Sequence, residues 1–166
     1  RNGTPTEMIA HYIDRVLMPL ADCAMDLHAG GSSLDYLPTL FVSRNADPKK
    51  QAVLDRLVEA FDPPRVMVMD MLGEDRVIES AAERSGVVFL TGEFGGAGTV
   101  DLDGLAVVRR GLAGIMDALG LVLAETKPPA RPSIRRLAVQ GNDHYIFAPR
   151  PGIFEPAFRL GDEVKA

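Results

Sequence analysis

Apolar residues recur along this chain at two spacings, and the alternation between them outlines the elements. In "TPTEMIAHYIDRVLMPLA", Ile9, Ile13, Val16, Leu17 and Leu20 fall on one helical stripe. Thr4 as N-cap, Pro5 at the first helical position and Glu7 three residues after Thr4 complete a capping box in front of it. A second helix is expected from Pro48, capped by Asp47, with Val53, Leu54, Leu57, Val58 and Phe61 on its buried face. A shorter one follows over Glu74 to Ser85. A long one opens at Asp101 or Asp103, carries Leu105, Val108, Leu112, Ile115, Met116 and Leu119 inward, and ends at Gly120.

Between these lie short apolar runs with the length of strands: Cys23 to His28, "PTLFVS" from Pro38 to Ser43, "RVMVMD" from Arg65 to Asp70, and "GVVFLTGE" from Gly86 to Glu93. Strands apolar on both faces and alternating with amphipathic helices predict an α/β fold, a mostly parallel or mixed sheet flanked by helices. The pattern then breaks. "ETKPPARPS", residues 125–133, reads as a proline-rich linker, and residues 134–166 carry short β-like pieces between Gly-Asn-Asp, Pro-Arg-Pro-Gly and Leu-Gly-Asp turns. The expected organisation is an α/β domain over residues 1–124, a linker, and part of a small β-barrel over 134–166.

At 166 residues, 46% of them hydrophobic and 25% charged, the chain suits one modest globular domain, or one with an appendage. A formal charge of −5 without a basic stripe argues against nucleic acid as a partner. No apolar run approaches the roughly 18 residues of a membrane span, and no signal peptide is visible. A lone cysteine, Cys23, excludes an internal disulfide. Together these predict a cytoplasmic protein. Arg1 in place of an initiator methionine, and "RLGDEVKA" stopping within a β-like stretch, suggest a piece of a longer chain.

Two strand exits combine a chemically capable residue with glycines: "DLHAGG", holding Asp26 and His28, and "TGEFGGAG", holding Glu93. Ligands of open α/β sheets gather at strand ends. A neutral imidazole is a good zinc ligand, and a nearby carboxylate can take a proton from an activated water. Taken singly, a histidine or a glutamate there serves equally well as a structural residue, and the glycines equally well make sharp turns. Asp26 lies on the same strand face as His28, where it can orient the imidazole or make a buried structural bond. Ser32 and Ser33 lie outside a G-x-S-x-G elbow, which argues against a serine hydrolase. "GEFGGAG" between a strand and a helix allows a phosphate-cradling loop, but lacks G-x-G-x-x-G spacing and a following Lys-Ser/Thr.

"DLHAGG" followed by "TGEFGGAG" resembles the succinylglutamate desuccinylase/aspartoacylase family, relatives of the zinc carboxypeptidases, and is most similar to its bacterial deacylases of N-acylated amino acids. The likeness runs from Thr4 to Gly120 and continues into "APRPGIFEPAFRLGDEV", which is similar to the lipoyl-like barrel of that branch. It implies one zinc ion, with His28 as the last protein ligand and Glu93 as the catalytic carboxylate. The family's H-x-x-E ligand pair and its substrate-gripping Asn-Arg lie upstream, and this chain contains no H-x-x-E. It is therefore expected to be inactive by itself. Arg84 stands near the offset of a substrate-binding arginine in some members. The implied partner is a small N-acyl amino acid, neither nucleic acid nor membrane, and a homo-oligomer is compatible with the sequence. A non-catalytic ligand- or nucleotide-binding domain on the same fold is the rival reading. His11 is read as solvated, His144 as a surface or interdomain residue, Tyr145 as a packed barrel residue with a cleft-facing position as the alternative, and Met67, Met69 and Met71 as packing; Lys165 lacks the flanks of a lipoyl attachment site.

Overall fold

The computed structural model describes residues 3–69, 77–121, 134–139 and 142–164. Helix α1 (Pro5–Tyr12) starts on the expected Thr4/Glu7 capping box. It is shorter than its stripe, giving way to a π turn over Ile13–Leu17 and a 3-10 turn over Met18–Leu20. The change of winding rotates the apolar side chains apart. Met18 is buried, while Ile9, Val16, Leu17 and Leu20 stay exposed, contrary to the expected face.

Strands β1 (Cys23–His28), β2 (Thr39–Ser43), β3 (Arg65–Met69), β4 (Val88–Glu93) and β5 (Arg135–Val139) form one sheet in the order β1-β4-β2-β3-β5. Pairings β1/β4, β2/β3 and β3/β5 are parallel, and β2/β4 is antiparallel. The mixed α/β architecture is as expected, with one correction. Residues 135–139, assigned from sequence to the barrel, instead continue the main sheet beside β3. The described residues 142–164 hold a 3-10 turn at Asn142–His144. Linker residues 125–133, Asp70, Met71, Lys165 and the 74–76 start of the third helix lie outside the described residues.

Helices α2 (Pro48–Phe61) and α4 (Leu102–Ala118) share one face of the sheet, and α3 (Ile78–Ser85) lies on the other. Asp47 caps α2 through Lys49 N, and Asp101 caps α4 through Asp103 N. The main core joins Leu40, Val42, Val66, Val88 and Leu90 to Leu54, Leu57, Val58 and Phe61. In α4 the buried line is Gly104, Val107, Gly111 and Ile115, one step around from the expected stripe, and Leu112 and Met116 are exposed. The glycines explain the rotation. A Cβ on Gly111 would stand 2.4 Å from the Phe61 ring, and one on Gly114 would stand 2.0 Å from the Ala60 carbonyl oxygen. The two helices therefore meet almost backbone to backbone.

The second face carries Thr39, Phe41, Met67, Phe89 and Thr91 by strand alternation. Met18, Ala82 and Val87 make a small cluster over part of it. Elsewhere a cavity of about 750 Å³ opens on this face. Among the described residues no helix is long and apolar enough to cross a membrane.

Alanine is the better helix former by roughly 1 kcal/mol, yet Gly114→Ala is expected to destabilise the fold. Overpacking against backbone typically costs about 1–3 kcal/mol. Urea unfolding of the two proteins measures the sign, and a gain in stability would contradict the close approach of α2 and α4.

Candidate active site

The two sequence-derived exits meet at one rim. In the parallel ladder Asp26 stands opposite Thr91 and His28 opposite Glu93. Past the strands the two loops are laced together by backbone bonds: Phe94 N–H donates to the His28 carbonyl (3.0 Å), Gly30 to Gly95 (3.0 Å), Ala97 to Leu34 (2.8 Å) and Gly98 to Gly31 (2.7 Å). Gly96 is required at the crossing, because a Cβ there would lie 2.1 Å from the Leu34 carbonyl oxygen. Phe94 turns inward, buried against Phe61 with ring centroids 5.9 Å apart, and so anchors the exit of β4 in the core.

Asp26 and His28 share a face as expected, and the aspartate Oδ2 lies 2.7 Å from His28 Nε2. An ionised carboxylate only accepts, so the proton on this contact is on Nε2, and in the neutral ring that tautomer leaves the lone pair on Nδ1. Among the described residues Nδ1 has no hydrogen-bond partner. Glu93 is half-buried, and its Oε2 is cut off from solvent without a donor among the described residues. Burial pushes its pKa above the ordinary value; the neighbouring His28 pulls it down and Asp26 raises it again, with burial the largest effect. A carboxylate poised to take up a proton beside an open imidazole nitrogen can run acid–base chemistry on a bound water.

Other expected residues are distributed differently. Arg84 is turned away: its guanidinium lies 3.6 Å from Asp14, and it is absent from the cavity lining, which corrects its candidacy as a substrate ligand. Tyr145 takes the cleft-facing alternative: it lines the cavity and stacks on Phe147. Met67 and Met69 floor the cavity instead of filling a closed core. His11 and His144 are exposed, and Cys23 is half-buried, its thiol pKa raised chiefly by burial. The glycine loop does not cradle phosphate: the N–H groups of Gly95, Ala97, Gly98 and Thr99 are all taken by backbone carbonyls. Sequence reasoning missed Thr39, Arg65 and Arg135 as lining residues. Their signal was a polar residue opening each of three apolar strands.

The family model described as the succinylglutamate desuccinylase/aspartoacylase catalytic domain matches residues 1–119. The chain belongs to this family. It is 34% identical over 163 residues to the N-alpha-acetyl-L-2,4-diaminobutyric acid deacetylase of Halomonas elongata, covering 98% of this chain and 47% of that protein. Its fold is similar to that of a succinylglutamate desuccinylase/aspartoacylase from Rhodobacter sphaeroides, with a TM-score of 0.85 and 32% identity over 99% of this chain and 49% of the other. The product-bound ectoine utilization protein EutE (DoeB) of Ruegeria pomeroyi is similar at a TM-score of 0.79 and 29% identity, over 89% and 44% of the two chains. The chain thus spans about half the length of these relatives.

Among the described residues no three His, Cys, Asp or Glu side chains converge to hold an ion. His28 fits as a single ligand because its tautomer leaves Nδ1 open, whereas Asp26 is committed to Nε2.

A carboxyl whose pKa is raised by folding favours the fold when protonated and penalises it when ionised. The penalty is absent below the ordinary value of 4.5 and develops as pH rises through the raised pKa of Glu93. Glu93→Gln is therefore expected to unfold at a higher temperature than the parent at pH 7, with the advantage gone by pH 4. Thermal scans across that range check it.

Proposed function

We propose that the intact protein is a zinc-dependent amidohydrolase that removes the acyl group from an N-acylated amino acid, with Glu93 as general base. The observation that carries this reading is the pairing of His28 with Glu93 at one rim, an open imidazole nitrogen beside a partly desolvated carboxylate. The family and the named activity of the Halomonas elongata relative support the acyl-amino acid as substrate class.

In this reading Asp26 holds the His28 ring in the tautomer and orientation that present Nδ1. His28 would hold a zinc ion there, with its remaining ligands outside the described residues, and the ion would contribute Lewis acidity and ease ionisation of a water. The Glu93 carboxylate, partly desolvated and lining the cavity, accepts the proton of the attacking water. The same carboxyl then returns that proton to the amide nitrogen as the C–N bond breaks, leaving a carboxylic acid and a free amine. The raised pKa of Glu93 serves both halves, since a base nearer neutrality also becomes a usable acid.

Glu93→Gln in the intact protein is expected to keep its zinc and to lose about 10²- to 10⁴-fold in kcat on an N-acetyl amino acid. Metal analysis and initial rates on the same preparation test both halves. Unchanged turnover would remove Glu93 from the mechanism, and lost metal would recast it as a ligand. Asp26→Ala is expected to weaken zinc about 10- to 100-fold by freeing the imidazole, read by competition with a chelating dye. Retained affinity would assign Asp26 to structure alone.

A further inference from the structure

The strand registers align more than the catalytic pair. His28 stands opposite Glu93, and Glu93 opposite Thr39. Leu40 stands opposite Val66, which sets Thr39 beside Arg65 one step earlier in the same ladder, and Arg65 stands opposite Arg135. All five side chains line the cavity. A single cross-strand row therefore runs imidazole, carboxylate, hydroxyl, guanidinium, guanidinium from β1 to β5. Because β2, β3 and β5 run against β1 and β4, the beginnings of three strands share a rim with the ends of two.

We propose that Arg65 and Arg135 form the recognition end of this row and bind a carboxylate of the substrate. The inference rests on the deacylase reading and deepens it. Neighbouring strands lie about 4.8 Å apart, so the Arg65 Cα stands roughly 10 Å from that of Glu93 and the Arg135 Cα roughly 14 Å. Long side chains from those positions reach back toward a group a few bonds from a carbonyl held beside Glu93. Two guanidiniums abreast repel each other, and like charges directly opposite destabilise a sheet. Among the described residues neither arginine has an ion-pair partner, although Asp35 and Glu79 also line the cavity. The contrast with the next residue is direct: Arg136 points to the other face and pairs with Glu59 at 2.6 Å. A carboxylate accepting from both guanidiniums relieves the repulsion, and planar forked donors suit it. Thr39 is buried between the two ends of the row, with its hydroxyl donated to the Leu37 carbonyl (2.7 Å), so it spaces the ends without competing for the anion.

That carboxylate belongs either to the amino acid or to the far end of a dicarboxylic acyl group, and substrates separate the two. In the full-length protein, Arg65→Gln, Arg135→Gln, the double variant and Arg65→Lys are compared with the parent. Each is assayed on an N-acetyl amino acid and its carboxamide, and on the N-succinyl and N-butyryl derivatives of one amino acid. Each Gln variant is expected to raise KM for a carboxylate-bearing substrate about 10- to 100-fold, the weight of a charged hydrogen bond, while kcat stays within a few-fold. The double variant should lose its preference over the neutral partner, and Arg65→Lys should recover part of it. Loss of preference in the acetyl pair assigns the amino-acid carboxylate, and loss in the succinyl–butyryl pair assigns the acyl end. A double variant with unchanged KM and preference overturns the inference and leaves the deacylase reading intact. If the parent hydrolyses none of the four, the deacylase reading falls, and calorimetry with succinate on the Glu93→Gln protein decides the arginines. Binding weakened tenfold or more by the two Gln substitutions upholds them, and equal binding removes them.

Discussion

The backbone ladder between β1 and β4, with the loop lacing that extends it, is the constraint on which the site depends. Each side chain of the pair follows from it. His28 and Glu93 are the last residues of adjacent parallel strands, 65 positions apart in sequence, and neither holds the other directly. Their juxtaposition is set by hydrogen bonds between main chains and by Phe94, which ties the exit of β4 to the α2 side of the core. A site fixed by backbone tolerates polar, partly desolvated side chains at its centre, because the ladder bears the cost of holding them there. The unsatisfied Glu93 oxygen is stable in that setting for the same reason.

The chain distributes covering and exposure unequally between the two faces of the sheet. One face is sealed by α2 and α4, brought close by glycines where a longer side chain would hold them apart. The other has α3 and a small cluster around Met18, and otherwise opens into the cavity with its methionine and aromatic floor. Phe41, Met67 and Met69 on that floor are apolar surfaces suited to the carbon skeleton of a small molecule, while the charged groups stand at the rim. Apolar grip and polar chemistry are thus divided between floor and edge, the usual arrangement of a ligand site.

Much of this was legible in the amino-acid pattern, and the failures share a cause. Asp47, Asp101 and the Thr4/Glu7 box marked helix starts because capping is decided within four residues. Strand limits near Cys23, Ser43 and Glu93 were visible for a similar local reason. The buried side of α4 was placed only in part: Ile115, Val108 and Leu119 pack in or against the core as expected, but periodicity weighs apolar side chains, and glycine has none to weigh; the closeness of Ala60 and Phe61 is a tertiary fact. β5 was assigned to a barrel because five residues after a proline-rich stretch cannot announce which sheet they join. Arg84 was nominated by sequence offset, which carries no direction, and the helix pointed it at Asp14. His28, Asp26 and Glu93 were singled out by their place beside glycines at strand exits and by the family resemblance, whereas the row that holds Arg65 and Arg135 emerges only when the registers are laid side by side.

The antiparallel placement of β2 against β4 has a wider meaning for how such a site changes over time. His28 and Glu93 end β1 and β4, beside loops locked to each other. The facing positions open β2, β3 and β5, each on a separate stretch of chain. Substitution at those three starting positions can reshape the lining of the pocket while the main-chain bonds that set His28 beside Glu93 stay as they are.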